Sequence, residues 1–392
     1  MVKKLSDTER GKEMKKYFVG LLSIVLLLTG CSNSTPSTDT DPTQSEIEYT
    51  TEVEELTYPN FPERYEQEDG NVSFNCTIKI STDLNTKKLY TATANQCELN
   101  VTAAFNELYS QIADYETYEY EEKNEYGNTV KTTTYVDKNE TSFSYGPMSS
   151  KLSFMKMDKM PYILAAFRLD ESYDDYNADL YSTESELAFA SREETYTDLM
   201  TLFQKIDAPT EYAYKAYALD QDTLKSQEKH EDMNGNNDPS SYKTDWSSTD
   251  DCYYFVMRQC FEEIPVYHVY ADIFSMESDM NTPVQAVISS EGIESLDIEK
   301  IFSFSNKKTV TNLMPFDKVA ASVSYKYNQL SEVGTYEITS AELYYYVDLS
   351  SGTGTYDVYP CWILKGTELQ NSDSNNIQII INAQTGEEII PQ

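Results

Sequence analysis

The sequence predicts an α+β protein in which antiparallel sheets are each packed by one amphipathic helix. Three observations carry this. Period-two alternation of apolar and polar residues recurs along the chain, as in Val72, Phe74, Cys76, Ile78 and Ile80. Three stretches instead place apolar residues at i, i+3, i+4 and i+7, the spacing of a helix buried along one face. Each of those stretches is followed by several strand-like runs punctuated by Gly, Asn, Asp and Pro, which suits antiparallel meanders better than alternating βαβ units.

The elements follow in order. Val72–Ile80 reads as a half-buried strand, Asp83–Thr86 as a turn and Lys88–Asn95 as a returning strand, so that the two form a hairpin. Val101, Ala104, Phe105, Leu108 and Ile112 give the first helix. Tyr118 and Tyr120, a turn at Gly127-Asn128, and the runs Thr129–Val136, Ser142–Tyr145 and Lys151–Met157 predict a meander. Ser191-Arg-Glu-Glu194 is a capping box, in which hydroxyl and carboxylate each satisfy an orphan N–H. It opens a helix with Tyr196, Leu199, Met200, Phe203 and Ile206 on one face, stopped by Pro209. A strand at Tyr212–Leu219 and a short polar helix at Asp220–Met233 lead into a loop, Asn234–Ser248. Cys252–Phe261 is apolar almost throughout and suits burial on both faces. Val266–Phe274 is a further strand, and Val284–Ile288 with Ile293–Phe304 form a hairpin through Ser289–Gly292. Phe316, Val319, Ala320, Val323, Tyr327 and Leu330 define a third helix, with Pro315 in its first turn. The strands Ile338–Leu349, Tyr356–Leu364 and Ile377–Ala383 close the chain.

Upstream of these elements the chain carries an export signal. Lys15 and Lys16 precede the apolar run Leu21–Leu28, which ends in Thr29-Gly30-Cys31. A basic start, a short apolar core and small residues before a cleavage point mark a secretory signal, and the core is too short for a comfortable bilayer span. The ending LTGC resembles the lipobox of bacterial lipoproteins. That resemblance implies cleavage between Gly30 and Cys31 and acylation of Cys31 (S-diacylglycerol and N-acyl), with the protein tethered at the extracytoplasmic face of the cell membrane. Translation starts at Met1 or Met14. The domain plan is then a signal at 1–30, an acylated cysteine and polar tether at 31–69, an N-terminal α+β domain at 70–245 and a C-terminal one at 246–392.

Charge narrows the partners. The chain has a net charge of −36, and the signal is itself basic, so the exported part is more acidic still. This argues against nucleic acid and against adhesion to anionic lipid, both of which need basic patches. Cys31 aside, Cys76, Cys97, Cys252, Cys260 and Cys361 are an odd number, so at least one is unpaired or pairs between chains. Cys252 and Cys260 on one strand stand about 26 Å apart and cannot bridge. Cys76 and Cys97 flank the expected hairpin, where a bridge needs a bulge; buried small hydrophobes are the simpler reading.

The order helix, AELYYYVDL, YDVYPCWIL, IQIIINAQTGEEI resembles the PepSY-like modules of bacterial envelope proteins, most nearly the YycI type. Pro360-x-Trp362 and Asn382-Ala-Gln-Thr-Gly-Glu387 carry the likeness, although Tyr359 adjoins the proline and Asn382 stands where Asp is usual. DDCYYFVMRQCFEEIPV also resembles uncharacterised lipoproteins of clostridial-type bacteria. The resemblance covers the last 130–145 residues or so, and the two α+β domains are expected to be PepSY-like or YycI-like. It implies action by binding, restraining a protease or a sensor kinase.

No reaction can be read from the residues. His230 and His268 are the two histidines and lack ligand or catalytic spacing. Ser226–Lys229 and Ser305–Lys308 match S-x-x-K without companion motifs. Asp232-Met-Asn-Gly-Asn-Asn-Asp238 superficially suggests a calcium loop, but its glycine is at the fourth position and position twelve is Lys243. We therefore expect no catalysis, no cofactor and no metal. The 33 tyrosines fit amphipathic sheet faces, and Tyr also supplies rigid contact area with a polar tip. Tyr344 and Tyr346, on the opposite face from Tyr345, and Trp246 beside its loop are the candidate recognition face for a peptide or glycan if that face is open. The expected function is a lipid-anchored binding or regulatory protein contacting another envelope protein. The alternative is a solute- or glycan-binding lipoprotein serving a transporter, and an enzyme is a third reading.

Overall fold

The computed structural model describes residues 58–390 apart from 111, 113, 124–128, 147–150, 172–174, 232–234, 268–277, 331–333, 352–353 and 371–372. Gly30, Cys31, the signal, most of the tether, the Gly127-Asn128 turn and His268 lie outside the described residues.

The chain begins with strands β1 (Arg64–Asp69), β2 (Val72–Lys79) and β3 (Tyr90–Gln96), helix α1 (Val101–Leu108), and strands β4 (Tyr115–Lys123), β5 (Thr129–Asp137), β6 (Ser142–Gly146) and β7 (Lys151–Met155). Helices α2 (Met160–Ala166) and α3 (Arg192–Lys205) precede β8 (Tyr212–Leu219), α4 (Gln221–Gln227), β9 (Cys252–Phe261) and β10 (Ile264–Tyr267). Then come β11 (Val284–Ser289), β12 (Gly292–Ile298), β13 (Phe302–Thr309), α5 (Phe316–Tyr327), β14 (Thr335–Asp348), β15 (Thr355–Gln370) and β16 (Asp373–Asn382). The fold is α+β, rich in strands that are largely antiparallel. Helices α1 and α5 are each followed by an antiparallel meander, β4 to β7 and β14 to β16, while α3 is followed by β8 and then by helix α4.

Hydrogen bonding joins the strands into two main sheets. The first runs β4-β5-β6-β7-β12-β11-β9-β8, antiparallel throughout. Helices α1 and α3 cover one face, where Ala104, Tyr109, Leu199 and Phe203 pack on Phe143, Phe154, Tyr253, Phe255 and Met257. Helices α2 and α4 lie on the opposite face, where Met160, Ile163 and Leu224 meet Cys252, Val256 and Val287. Alternate residues of β9 thus enter two cores, as its nearly continuous apolar run requires. The α3 capping box forms as its residues dictate: Ser191 Oγ accepts from Glu194 N at 3.2 Å and Glu194 accepts from Ser191 N at 3.0 Å.

The second sheet centres on β14 and β15, paired antiparallel from Thr335↔Leu369 to Asp348↔Asp357. Helix α5 lays Phe316, Val319, Ala320 and Val323 on it, against Ile338, Leu343, Val347 and Trp362. Pro315 is the residue that caps this helix rather than its first-turn residue. β16 and β3 share the outer edge of β15, while β2 and β10 share the outer edge of β14, both parallel to it. Tyr58 docks here: its hydroxyl donates to Val310 O at 2.9 Å and accepts from Leu89 N at 2.9 Å.

Three expectations are corrected. β2 and β3 do not form a hairpin: β2 pairs with β1 and β14, β3 with β13 and β15. Both find better-buried partners in the C-terminal strands than in each other, and no hairpin links Cys76 to Cys97. The strand expected over Ile293–Phe304 breaks at Lys300, whose φ is +49°, so β12 joins the first sheet and β13 the second. Between Asp220 and Met233 the helix stops at Gln227 because Glu228 is drawn inward as a buried acceptor. Position 245/246 lies on the chain path of the first sheet. It falls between β8 and β9, which pair over eight residues, and β1 to β3 build onto the C-terminal sheet. Residues 55–392 form one compact unit. Its two sheets are joined by the β9–β10 turn, where Glu262 and Glu263 both adopt positive φ, 52° and 70°, the conformation of a type I′ turn that usually takes Asn and Gly.

Candidate recognition surface

The tyrosines singled out on β14 are not open. Tyr344 and Tyr346 are 5% and 4% exposed. They belong to an apolar layer on the face of the sheet opposite α5, with Tyr267, Cys361, Ile363 and Ile380. Tyr346 stands 5.6 Å from the Tyr359 ring, and Tyr267 lies 6.2 Å from Tyr344 and 6.3 Å from Tyr346. The Arg258 guanidinium sits 5.9 Å from the Tyr267 ring and 6.0 Å from Tyr344, which shields a buried cation. Burial first, then the neighbouring Tyr359 and Asp348, hold the Tyr346 phenol well above its ordinary pKa. The reason is topological. β14 is a central strand with partners on both edges, and both of its faces are covered.

Trp246 lies elsewhere, partly buried against the core beneath α2 and α4, so the structure does not bring it to Tyr344 and Tyr346. Its indole N–H donates to Glu228 Oε2 at 3.1 Å. Glu228 Oε1 meets the His230 ring nitrogen at 2.8 Å and accepts from Lys243 N at 2.9 Å. The Lys243 ammonium lies 5.5 Å from the Tyr162 ring and 5.8 Å from Trp246, with Asp250 at 3.6 Å. Trp246 and His230 therefore anchor the 228–250 loop through one buried carboxylate. Asp238, the last acidic residue of the calcium-like run, instead accepts from Ser240 and Ser241. Among the described residues no group of three His, Cys, Asp or Glu is placed to hold a metal ion.

The aromatic surface that is open lies on β4. Tyr115, Tyr118 and Tyr120 are 43%, 50% and 48% exposed. β4 is the end strand of its sheet and, among the described residues, pairs with β5 alone, in nine unbroken registers from Tyr115↔Asp137 to Lys123↔Thr129. Side chains alternate along it. Tyr115 leans on the α1 side, against Phe105, Tyr109 and Tyr135 at 5.4–5.8 Å. Tyr118 and Tyr120 point to the other face, opposite Thr134 and Thr132 of β5, and Thr134 Oγ1 lies 2.8 Å from Ser144 Oγ. Glutamates punctuate the strand at 116, 119, 121 and 122. Glu119 pairs with Lys131 at 2.8 Å, and the Tyr118 hydroxyl donates to Glu116, which raises the Tyr118 pKa. The signal was present in the sequence, in YETYEYEEK, where neither alternating face is apolar enough for a core. Three consecutive tyrosines on a central strand were the stronger but misleading cue.

No family model matches the sequence, and no curated protein does. Among solved structures, an uncharacterised protein from Eubacterium rectale ATCC 33656 is similar over 84% of this chain and 94% of its own, with a TM-score of 0.56 at 16% identity. At that identity the likeness is one of fold alone. The Bacillus megaterium YpeB C-terminal domain overlaps 75% of this chain and 96% of its own at 11% identity, but with a TM-score of 0.27, too low to bear on the fold.

Proposed function

We propose that this protein is a lipid-anchored, extracytoplasmic binding or regulatory protein that contacts another cell-envelope protein and catalyses no reaction. Its LTGC motif supplies the anchor through Cys31. Helix-then-meander units, α5 with β14 to β16 above all, support the reading of its sheets as PepSY-like modules. The observation that carries the proposal is the β4 edge, where three half-exposed tyrosine rings lie along a strand whose outer edge has no partner among the described residues. Rigid aromatic area with polar tips is what protein interfaces favour.

The test is a photo-crosslinking amino acid placed at Tyr118 in cells that carry the intact signal. The control position is Tyr325 of α5, 72% exposed on a different element. The expected result is capture at position 118, and not at 325, of an envelope protein identified by mass spectrometry. Equal capture at both positions, or none, refutes the reading. Mass spectrometry of the mature N-terminus tests the anchor separately, since an unmodified Cys31 removes it.

A further inference from the structure

We propose that the segment recognised by β4 is an extended basic stretch of the partner, which adds to this edge as a further strand. This rests on the reading of β4 as the binding edge and names the chemistry of its occupant. An end strand presents a row of unpaired N–H and C=O groups that can template another strand. β4 offers nine residues of it, about 30 Å at strand rise.

Among the described residues, three other end strands carry devices that blunt such pairing, and β1, which pairs with β2 alone, is a shorter edge of six residues. β13 has a bulge between Ser305 and Lys308, with Asn306 at φ +53°. β8 is bridged by Ser182 at Ala218, and β16 by Glu388 at Ile381. β4 has no proline, no register shift and no crossing segment among the described residues. Its protection is charge, and the charge has one sign. Glu116 falls on the Tyr118/Tyr120 face and Glu119 and Glu121 on the other, so carboxylates line both faces. Lys131 answers Glu119, and Lys123 ends the strand.

That arrangement selects. A second β4 laid along the first sets glutamates against glutamates, and like charges directly opposite are destabilising in a sheet. A strand with Lys or Arg at alternate positions carries its cations on one face, where they meet Glu119 and Glu121, and lays its intervening residues beside the Tyr118 and Tyr120 rings on the other. Backbone pairing then gives affinity, and the alternate side chains give specificity.

The test uses the full-length protein in detergent and fluorescent ten-residue peptides, one alternating Lys with Thr and one alternating Glu with Thr. Two further basic peptides are N-methylated at alternate residues, in opposite phases, so that each loses the hydrogen bonds of one edge. The expected result is binding of the basic peptide only, with an affinity about tenfold weaker in one methylated phase and unchanged in the other. The Glu119→Lys/Glu121→Lys variant, altered at exposed positions, is expected to lose the basic peptide and take the acidic one, a gain that an unfolded variant does not show. Failure of the basic peptide to bind, equal binding of both methylated phases, or dimerisation of the protein through β4 in sedimentation overturns the proposal. If crosslinking at Tyr118 nonetheless captures an envelope protein, the basic strand falls alone and the binding edge stands.

Discussion

Replacing Lys159 with Met tests the electrostatics buried beneath α2. The Lys159 side chain is 9% exposed and Glu294 1%. The ammonium contacts Glu291 at 2.6 Å, Glu294 at 3.4 Å and Thr249 O at 2.7 Å. Glu294 also accepts from Ser289 Oγ, and Lys156 lies 3.2 Å from its other oxygen without forming a hydrogen bond. Removing one partner of a buried pair leaves an uncompensated charge and costs about 3–5 kcal/mol. Because Lys156 remains, the expected cost of Lys159→Met is near the lower end, about 3 kcal/mol. The double variant Lys159→Met/Glu294→Gln removes both charges and is expected to be less destabilised than the sum of its singles by about 1–2 kcal/mol. Urea denaturation of the full chain, followed by the fluorescence of buried Trp362, measures both. Burial lowers the Lys159 pKa, but the hydrogen bond and charge of Glu291 and the charge of Glu294 outweigh it and hold it above its ordinary value. The same contact holds the Glu291 carboxyl below its own. The raised lysine contributes stability that is complete below its unfolded pKa, about 10.4, and is lost as pH rises through the folded value. The depressed carboxyl contributes stability present above about pH 4.3 and lost as pH falls through its folded value. The difference between the parent protein and Lys159→Met is therefore flat from about pH 5.5 to 9.5 and shrinks on either side. A cost under about 1 kcal/mol, or singles that add within about 0.5 kcal/mol, refutes the reasoning.

Three further outcomes follow from the packing. Gly366 lies where β15 passes a register shift in β14, and a Cβ there would stand 2.0 Å from Glu337 O; Gly366→Ala is expected to cost more than about 3 kcal/mol, and a variant with near-parent urea stability contradicts the close approach. Ser191→Ala removes the capping hydroxyl of α3 and is expected to cost about 1 kcal/mol in the same assay, with Ser191→Asp restoring most of it. Burial pushes the Cys76 thiol up to about 12 and raises Cys252 and Cys361 well above the ordinary thiol value. A maleimide at neutral pH is thus expected to modify none of these three in the native protein and all of them in urea, and rapid native labelling refutes their burial.

What the sequence determined by itself was local. Alternation over 72–80, the capping box at Ser191 and the stripe from Phe316 to Val323 each name their element because period and cap are properties of neighbouring residues. The doubly apolar run of β9 announced burial on both faces for the same reason. What only the tertiary structure decided was who pairs with whom. β2 and β3 are adjacent in sequence, yet they flank β14 and β15, because strand pairing is settled by which edges remain to be buried and not by proximity along the chain. The candidate surface followed the same division. The sequence named Tyr344, Tyr346 and Trp246 as the candidate surface and Tyr118 and Tyr120 only as part of a meander, but β14 became a central strand with both faces covered, Trp246 turned inward to Glu228, and β4 became an end. Whether a tyrosine meets solvent depends on its strand's place in the sheet, and that place is set by contacts hundreds of residues apart.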